Sequence, residues 1–116
     1  MAKNERADPE LVRGAGASAV LALLEDGERY GYQLAEQLAT GSDGFLDLGQ
    51  ATLYPLLYNL ESKGWIAARW QVAESGRRRK YYRLTAQGRR QLERSRAQWS
   101  RLVAALGRLR VLRASR

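Results

Sequence analysis

Two residue types are missing from this chain of 116 amino acids, which contains no cysteine and no histidine. The lack of cysteine excludes disulfide bonds, thiolate zinc sites and thiol nucleophiles. The lack of histidine removes the commonest metal ligand and the usual general base near neutral pH. The carboxylate, tyrosine and lysine side chains that remain form no paired arrangement at a spacing that suits catalysis. We therefore expect a protein that is not an enzyme and that holds no metal and no cofactor.

Long apolar runs are also missing from the sequence. The longest run, residues 19–24, is far too short to cross a bilayer. Residues 1–10 are polar and mixed in charge, unlike a secretory signal. Together with the lack of cysteine, these features predict a cytoplasmic protein with no segment that spans a membrane.

Charge, by contrast, is abundant and unevenly distributed, with a net charge of +8. Residues 1–60 hold 4 basic and 9 acidic side chains, a net charge of −5, whereas residues 61–116 hold 16 basic and 3 acidic ones, a net charge of +13. This asymmetry indicates a polyanionic partner, either a nucleic acid or an anionic membrane. The alternative is an ordinary solvated surface, which a run of charges also produces.

Start and stop signals for helices divide the first half of the chain. An N-cap acceptor and a proline at residues 8–10 predict a first helix that runs to about Glu25. A second, short helix is predicted over residues 31–39 and a third over residues 50–62. The flanking glycines and polar turn residues supply the boundaries.

The pattern then changes to that of strands. Residues 66–70 and 80–84 are short β-type segments that flank a glycine- and arginine-rich connection, so we expect a hairpin with a long tip. Thr85 then caps a last helix that runs to about Arg110. The predicted fold is mainly α with a small β-hairpin, a winged helix-turn-helix followed by a long C-terminal dimerisation helix. Its parts are a flexible N-terminal arm (1–8), a winged helix-turn-helix domain whose first helix also reaches the dimer interface (9–84), and the dimerisation helix with a short tail (85–116).

The third helix has the features of a recognition helix. Its leucines at 53, 56, 57 and 60 form one apolar stripe that must face the core. The opposite face is uncharged and can donate or accept hydrogen bonds or touch a thymine methyl, although its tyrosine rings could also simply lie along the surface. Pro55 leaves two alternatives open: a helix that begins after Gly49 and is kinked, or one that begins at Pro55 itself. The residues predicted to contact DNA from this region are Tyr32, Gln50, Ala51, Thr52, Tyr54, Pro55, Tyr58 and Asn59.

The hairpin supplies the predicted wing. Arg77, Arg78, Arg79 and Lys80 place four consecutive positive charges at its tip, where long cations suit phosphate contacts and an arginine can enter a narrow minor groove. The alternative is that these residues only make the surface soluble. Because four adjacent cations repel one another in the free protein, we favour a role in DNA binding.

The last helix carries an apolar stripe at alternating steps of three and four residues, about 25 Å long at 1.5 Å per residue. No other segment remains to cover this stripe within one chain, so we infer a two-fold dimer. A cationic amphipathic helix could also lie on a membrane surface, but the narrow stripe favours a helix partner. Apart from Ser95, the stripe consists of Leu92, Trp99, Leu102, Leu106 and Leu109.

Several of these motifs together resemble a known family. They are Gly31-Tyr32, then Ala51-Thr52-Leu53-Tyr54-Pro55 with Leu60-Glu61 and Lys63-Gly64, and finally the run of residues 76–85 followed by Gly88. Over about residues 11–110 the chain resembles the PadR family of transcriptional regulators. The resemblance implies a dimeric winged-helix repressor of the short subtype with one C-terminal dimerisation helix. It also implies a recognition helix that begins before Pro55.

Three positions depart from the family pattern. Tyr30 stands where family members usually have histidine, residues 14–16 stand where Gly-Thr-Leu is usual, and Ala51 replaces the glycine usual before Thr-Leu-Tyr-Pro. The first two changes concern local contacts. Because Ala51 lies where DNA would approach, it can alter the preference for an operator.

Trp99 has two interpretations. It can fill a dimer core as a large hydrophobic residue, or it can line a ligand site opposite the small-residue face of the first helix. In drug-responsive PadR-like proteins a tryptophan of the last helix stacks on flat aromatic ligands at the dimer interface, and Trp99-Ser100-Arg101 resembles that element. This resemblance implies a planar aromatic effector between two Trp99 rings, in a site that includes Leu11, Gly14, Ala17, Ser18, Leu21, Trp99 and Val103.

The sequence therefore predicts a homodimeric, sequence-specific repressor whose partners are double-stranded DNA, a second copy of itself and an aromatic effector. Two-fold symmetry implies a palindromic operator with half-sites about 34 Å apart, or a multiple of that distance. The competing hypothesis is a basic structural protein that binds RNA or chromatin without sequence preference.

Overall fold

The computed structural model describes residues 5–113 of the chain. Within these residues, four helices and three strands follow one another, with one 3₁₀ turn at Leu24–Asp26 after the first helix. In chain order they are α1 (Pro9–Leu23), β1 (Arg29–Tyr30), α2 (Gly31–Gly41), α3 (Gln50–Ser62), β2 (Ile66–Val72), β3 (Arg78–Leu84) and α4 (Ala86–Arg108). The mainly helical fold with a β-hairpin is the one predicted from the sequence.

The structure decides two predictions about where helices begin. Asp8 is the N-cap residue of α1 and Pro9 its first residue, although the Asp8 carboxylate makes no capping hydrogen bond. The third helix begins at Gln50, so Pro55 lies inside it and the alternative start at Pro55 is wrong. Because proline has no N–H, the helix lacks the hydrogen bond that residue 55 would otherwise donate to the Ala51 carbonyl.

The sheet is antiparallel with strand order β1–β3–β2. Strand β1 was not predicted from the sequence, because a segment of two residues is too short to show an alternating pattern. The hairpin strands are also longer than predicted, pairing from Ile66 opposite Leu84 out to Val72 opposite Arg78. The tip is therefore short rather than long, and it is closed by a 2.7 Å hydrogen bond from the Ala73 N–H to the Arg77 carbonyl.

The hydrophobic core lies between the helices and one face of the sheet. The leucine stripe of α3 faces it as predicted, with Leu53, Leu57 and Leu60 buried and Leu56 packed at its edge. Ile66 and Tyr82 add the contribution of the sheet. The remaining buried members come from α1, its following turn, α2, the α2–α3 connection and α4: Val20, Leu21, Leu24, Leu34, Leu38, Leu48 and Leu92.

The N-terminus of α4 is fixed against the connection between α3 and β2. The Thr85 hydroxyl accepts a 2.9 Å hydrogen bond from the Gly88 N–H and lies 2.7 Å from the Gly64 carbonyl oxygen, which confirms the predicted cap. A Cβ on Gly88 would lie 2.0 Å from the Trp65 carbonyl oxygen. Only glycine permits this close approach of helix and backbone.

The N-terminal arm predicted over residues 1–8 lies partly outside the described residues. In the described part, the Ala7 N–H donates a 2.8 Å hydrogen bond to the Phe45 carbonyl, and Arg6 lies 3.4 Å from the Asp47 carboxylate. The arm thus contacts the connection between α2 and α3. The last residues of the predicted C-terminal tail, 114–116, also lie outside the described range.

Candidate nucleic-acid interface

The exposed residues on the face of α3 opposite its buried leucines carry no charge. They are the predicted residues Gln50, Ala51, Thr52, Tyr54, Pro55, Tyr58 and Asn59. The two tyrosines differ in their surroundings: Tyr58 is 73% exposed, whereas Tyr54 is 43% exposed and packs against Gly31 at the start of α2. Tyr32, on the first turn of α2, is also exposed. The structure therefore brings the predicted helix residues together on one surface, and their contact with DNA stays a prediction.

A cleft of about 460 Å³ separates this helix face from the hairpin. Its lining combines aromatic rings with the predicted wing cations, and no residue of the lining is acidic. The lining consists of Tyr30, Gly31, Tyr32, Tyr54, Trp70, Arg77, Arg78, Arg79, Lys80 and Tyr82. An open, cationic and aromatic cleft beside an uncharged helix face suits a nucleic acid strand, whose phosphates and sugars need both kinds of contact.

The four wing cations do not share one environment, and only Arg77 lies in the hairpin tip. Arg78, Arg79 and Lys80 belong to β3, so their placement at the tip is corrected. The sequence offered no basis for this division, because the alternation that marks β3 is recognisable only from Lys80 onward.

Arg79 and Lys80 are half-buried, and each contacts another element of the fold. The Lys80 ammonium nitrogen lies 3.3 Å from a carboxylate oxygen of Glu61, on the last turn of α3. The Arg79 guanidinium lies over the Tyr30 ring, 4.5 Å from its centroid. Arg77 and Arg78 are exposed, and Arg78 lies over the Trp70 ring at 5.0 Å. Arg77 and Arg78 are therefore the wing residues best placed to reach phosphates.

The outer face of the sheet carries a stacked network that sequence reasoning missed. Tyr30 and Tyr81 meet edge to face with their ring centroids 5.4 Å apart, and Arg69 lies over the Tyr81 ring. Arg69 also donates two hydrogen bonds to Glu28, at 2.9 and 2.7 Å, and these bonds hold the pKa of the Glu28 carboxyl below its usual value. The network ties the base of the wing to the start of α2. Its only signal in the sequence was Tyr30 at a position where the family usually has histidine.

Trp99 contacts the first helix within the same chain. Its indole N–H donates a 3.1 Å hydrogen bond to the Ser18 hydroxyl, which is also hydrogen-bonded to the Ser95 hydroxyl. Of the other residues predicted to bind an effector, Leu11, Gly14 and Val103 are exposed and Ala17 is half-buried. Leu21 is only 1% exposed and belongs to the core, so its assignment to a ligand site is corrected.

The predicted dimer stripe is corrected at one end. Leu92 is 2% exposed and packs into the core of its own chain, because α1 covers this part of α4. Trp99, Leu102 and Leu109 remain exposed, and Leu106 is half-buried. The stripe that a partner could cover therefore begins near Trp99.

Three helices, a three-stranded sheet with its hairpin wing, and an uncharged exposed face on the third helix define a winged-helix DNA-binding protein. The model of the transcriptional regulator PadR-like family matches residues 20–94, and the chain belongs to this family. The family consists of transcriptional regulators, not enzymes. Among residues 5–113, no helix has both the length and the apolar character needed to cross a membrane.

Similar proteins agree with this assignment. A PadR family transcriptional regulator from Eggerthella lenta is 40% identical, with a TM-score of 0.76 and coverage of 86% of this chain and 85% of that one. A transcriptional regulator from Clostridium thermocellum is 26% identical, with a TM-score of 0.79 and coverage of 85% and 96%. An uncharacterised protein of Lysinibacillus sphaericus is 31% identical over 91 residues, 78% of this chain and 84% of that protein.

Proposed function

We propose that the chain is a homodimeric repressor that binds a palindromic operator in the cytoplasm. In this proposal α3 enters the major groove and the wing contacts the flanking backbone or minor groove. The observation that supports it most directly is the exposed, uncharged face of α3 beside a cleft lined by cations. A protein that binds polyanions only through charge has no need of such a face.

The side chains on α3 suit the reading of bases. Gln50 and Asn59 can form paired hydrogen bonds with adenine, and the methyl groups of Ala51 and Thr52 can contact a thymine methyl. Tyr58, which is 73% exposed, adds a hydroxyl group to this face. Arg77 and Arg78 supply phosphate contacts, which set the register without reading sequence.

A dimer is supported by the apolar surface at the far end of α4. A single chain would leave this surface in water, which is unusual for a soluble protein unless a partner covers it. A second copy packed about a two-fold axis would bury it and place two copies of α3 about 34 Å apart, or a multiple of that distance. The exposed residues are Trp99, Leu102, Val103, Leu109, Val111 and Leu112.

Selection of duplexes from a random-sequence library by the wild-type chain, followed by footprinting in excess competitor DNA, tests this function. We expect enrichment and protection of a palindrome. Uniform binding, with no enriched sequence, would instead support the competing hypothesis of a basic protein that binds RNA or chromatin without sequence preference.

A second proposal concerns regulation by a planar aromatic effector between two Trp99 rings. It is supported by the Trp99–Ser18 hydrogen bond, which fixes one edge of the indole and leaves the side chain 36% exposed. An effector stacked there would change the angle between the two winged domains and relieve repression. Fluorescence titration with planar aromatic compounds tests it. Equal quenching of wild type and of Trp99→Ala, monitored through Trp65 and Trp70, would place the binding elsewhere.

A further inference from the structure

One aromatic residue of the cleft, Trp70, contacts Arg78 but has no role in the proposed binding of DNA. Along β2 the residues on the core-facing side become steadily more exposed: Ile66 is 1% exposed, Ala68 is half-buried, Trp70 is 57% exposed and Val72 is 62% exposed. The strand therefore carries its apolar face beyond the helices that cover its first half. An indole in this position exposes a large apolar area to water.

The surroundings of Trp70 are cationic. Lys80 lies opposite it in the strand register, and Arg78 lies diagonally across on the same face, with its guanidinium 5.0 Å from the centroid of the indole ring. No residue of the cleft lining is acidic. Charge complementarity therefore favours a polyanion as the occupant of this cleft over a cationic or purely apolar partner.

A DNA strand matches this combination of groups. Phosphates alternate along it with deoxyriboses, which offer an apolar surface between two charges. Arg77 and Arg78 are exposed on the same side as Trp70, so cations and an indole are presented together. We propose that Trp70 contacts DNA, an inference that rests on the proposed function. Its indole ring packs against a deoxyribose, and Arg77 and Arg78 bind phosphates of the same strand.

Acrylamide quenching of tryptophan fluorescence tests this contact. The variant Trp65→Phe/Trp99→Phe retains Trp70 alone, and the probe is a duplex selected by the wild-type chain from a random-sequence library. We expect Trp70 to lose most of its accessibility to acrylamide when the duplex saturates the protein. The matched control, Trp65→Phe/Trp70→Phe, retains only Trp99, which does not line the cleft, and should show no such protection.

Affinity measurements separate the indole from its cationic neighbour. Trp70→Ala should weaken binding about tenfold, as expected for the loss of one aromatic contact, and should leave the salt dependence unchanged because no charge is removed. Trp70→Phe should recover most of the affinity. Arg78→Gln should instead reduce the salt slope by about one.

Several outcomes would overturn the proposal. If the wild type selects a duplex but Trp70 stays equally accessible in the complex, or if Trp70→Ala binds as tightly as wild type, the contact does not exist. Protection of Trp70 by sodium salicylate and not by the duplex would make the cleft a site for small aromatic anions. If the wild type selects no duplex at all, the proposed function fails together with this contact.

Discussion

The ring of Tyr54 lies so close to Gly31 that a Cβ on this glycine would be 2.5 Å from the tyrosine hydroxyl oxygen. The contact joins the first turn of α2 to the second turn of α3 and sets Tyr54 at the edge of the cleft. The glycine of the Gly31-Tyr32 motif is therefore explained by a neighbour on the recognition helix. It is a requirement of packing that bears directly on the candidate DNA surface.

Gly31→Ala should impair DNA binding more than folding. The new methyl group displaces the Tyr54 ring, whose far end can move toward solvent, so the free energy of unfolding should change by less than about 1 kcal/mol. Affinity for a selected duplex should fall about tenfold because a base- or backbone-contacting side chain has moved. Gly41→Ala is the control, since it lies on the same helix with no atom within 4 Å of the added Cβ. Wild-type affinity of Gly31→Ala would show that the position of Tyr54 is unimportant.

Gly88→Ala should destabilise the fold itself. The atom in the way is the Trp65 carbonyl oxygen, 2.0 Å from the new Cβ, and backbone cannot rotate aside as a side chain can. We expect a loss of about 2–3 kcal/mol in the free energy of unfolding, measured by urea denaturation. Gly107→Ala, in the same helix with open space around it, should instead stabilise by up to about 1 kcal/mol. Equal stability of Gly88→Ala and wild type would contradict the close packing.

The parts of the fold that could be predicted from the sequence are those in which apolar residues repeat at a regular spacing or a capping residue marks the start of a helix. The leucines of α3 repeat at helical spacing and are buried, and the Thr85 cap precedes its helix in the usual way. The two-residue strand β1 has no period at all, and its place is set by pairing with Tyr81 and Tyr82. Leu92 continued the helical stripe of α4, but the sequence could not show that α1 covers it.

The candidate site was predicted less completely than the fold. The sequence predicted that Arg77 to Lys80 form one charged hairpin tip. The strand register instead gives these residues different neighbours. Glu61 and Tyr30, which engage Lys80 and Arg79, come from other elements of the fold. Such contacts depend on tertiary packing, and local pattern carries no information about them.

Salt titrations should distinguish the wing cations from one another. Arg77→Gln and Arg78→Gln should each reduce the slope of log affinity against log salt by about one, because each removes a phosphate contact and its released counterion. Lys80→Gln should change the slope less, since this charge already faces Glu61 at 3.3 Å. These three single variants can be compared on one selected duplex by fluorescence anisotropy. Equal slopes for all three would refute the division that we draw from their environments.

Leu102→Glu should convert the proposed dimer into a monomer. The charge would lie among the exposed apolar residues of the proposed interface on α4, and sedimentation velocity should show the loss of the dimer at micromolar protein concentration. Operator affinity should then fall by about a hundredfold or more, because two linked half-sites no longer bind together. Ala104→Glu is the control, as it adds the same charge on the opposite, exposed face of α4. A dimeric Leu102→Glu would move the interface elsewhere.

Acid should weaken the contact between α4 and the turn that follows α1. Arg96 donates two hydrogen bonds to Glu25, at 3.3 and 2.8 Å, and they lower the pKa of the Glu25 carboxyl from its usual value of about 4.5. Because the unfolded chain binds this proton more tightly, the stabilisation is present above about pH 4.5 and is lost as the pH falls through the lowered pKa. The difference in unfolding free energy between wild type and Arg96→Gln should therefore be largest near neutral pH and shrink in acid. Arg90→Gln, at another exposed arginine of α4, serves as the control. If the difference in unfolding free energy between wild type and Arg96→Gln stays constant from neutral pH into acid, Glu25 is not the titrating partner.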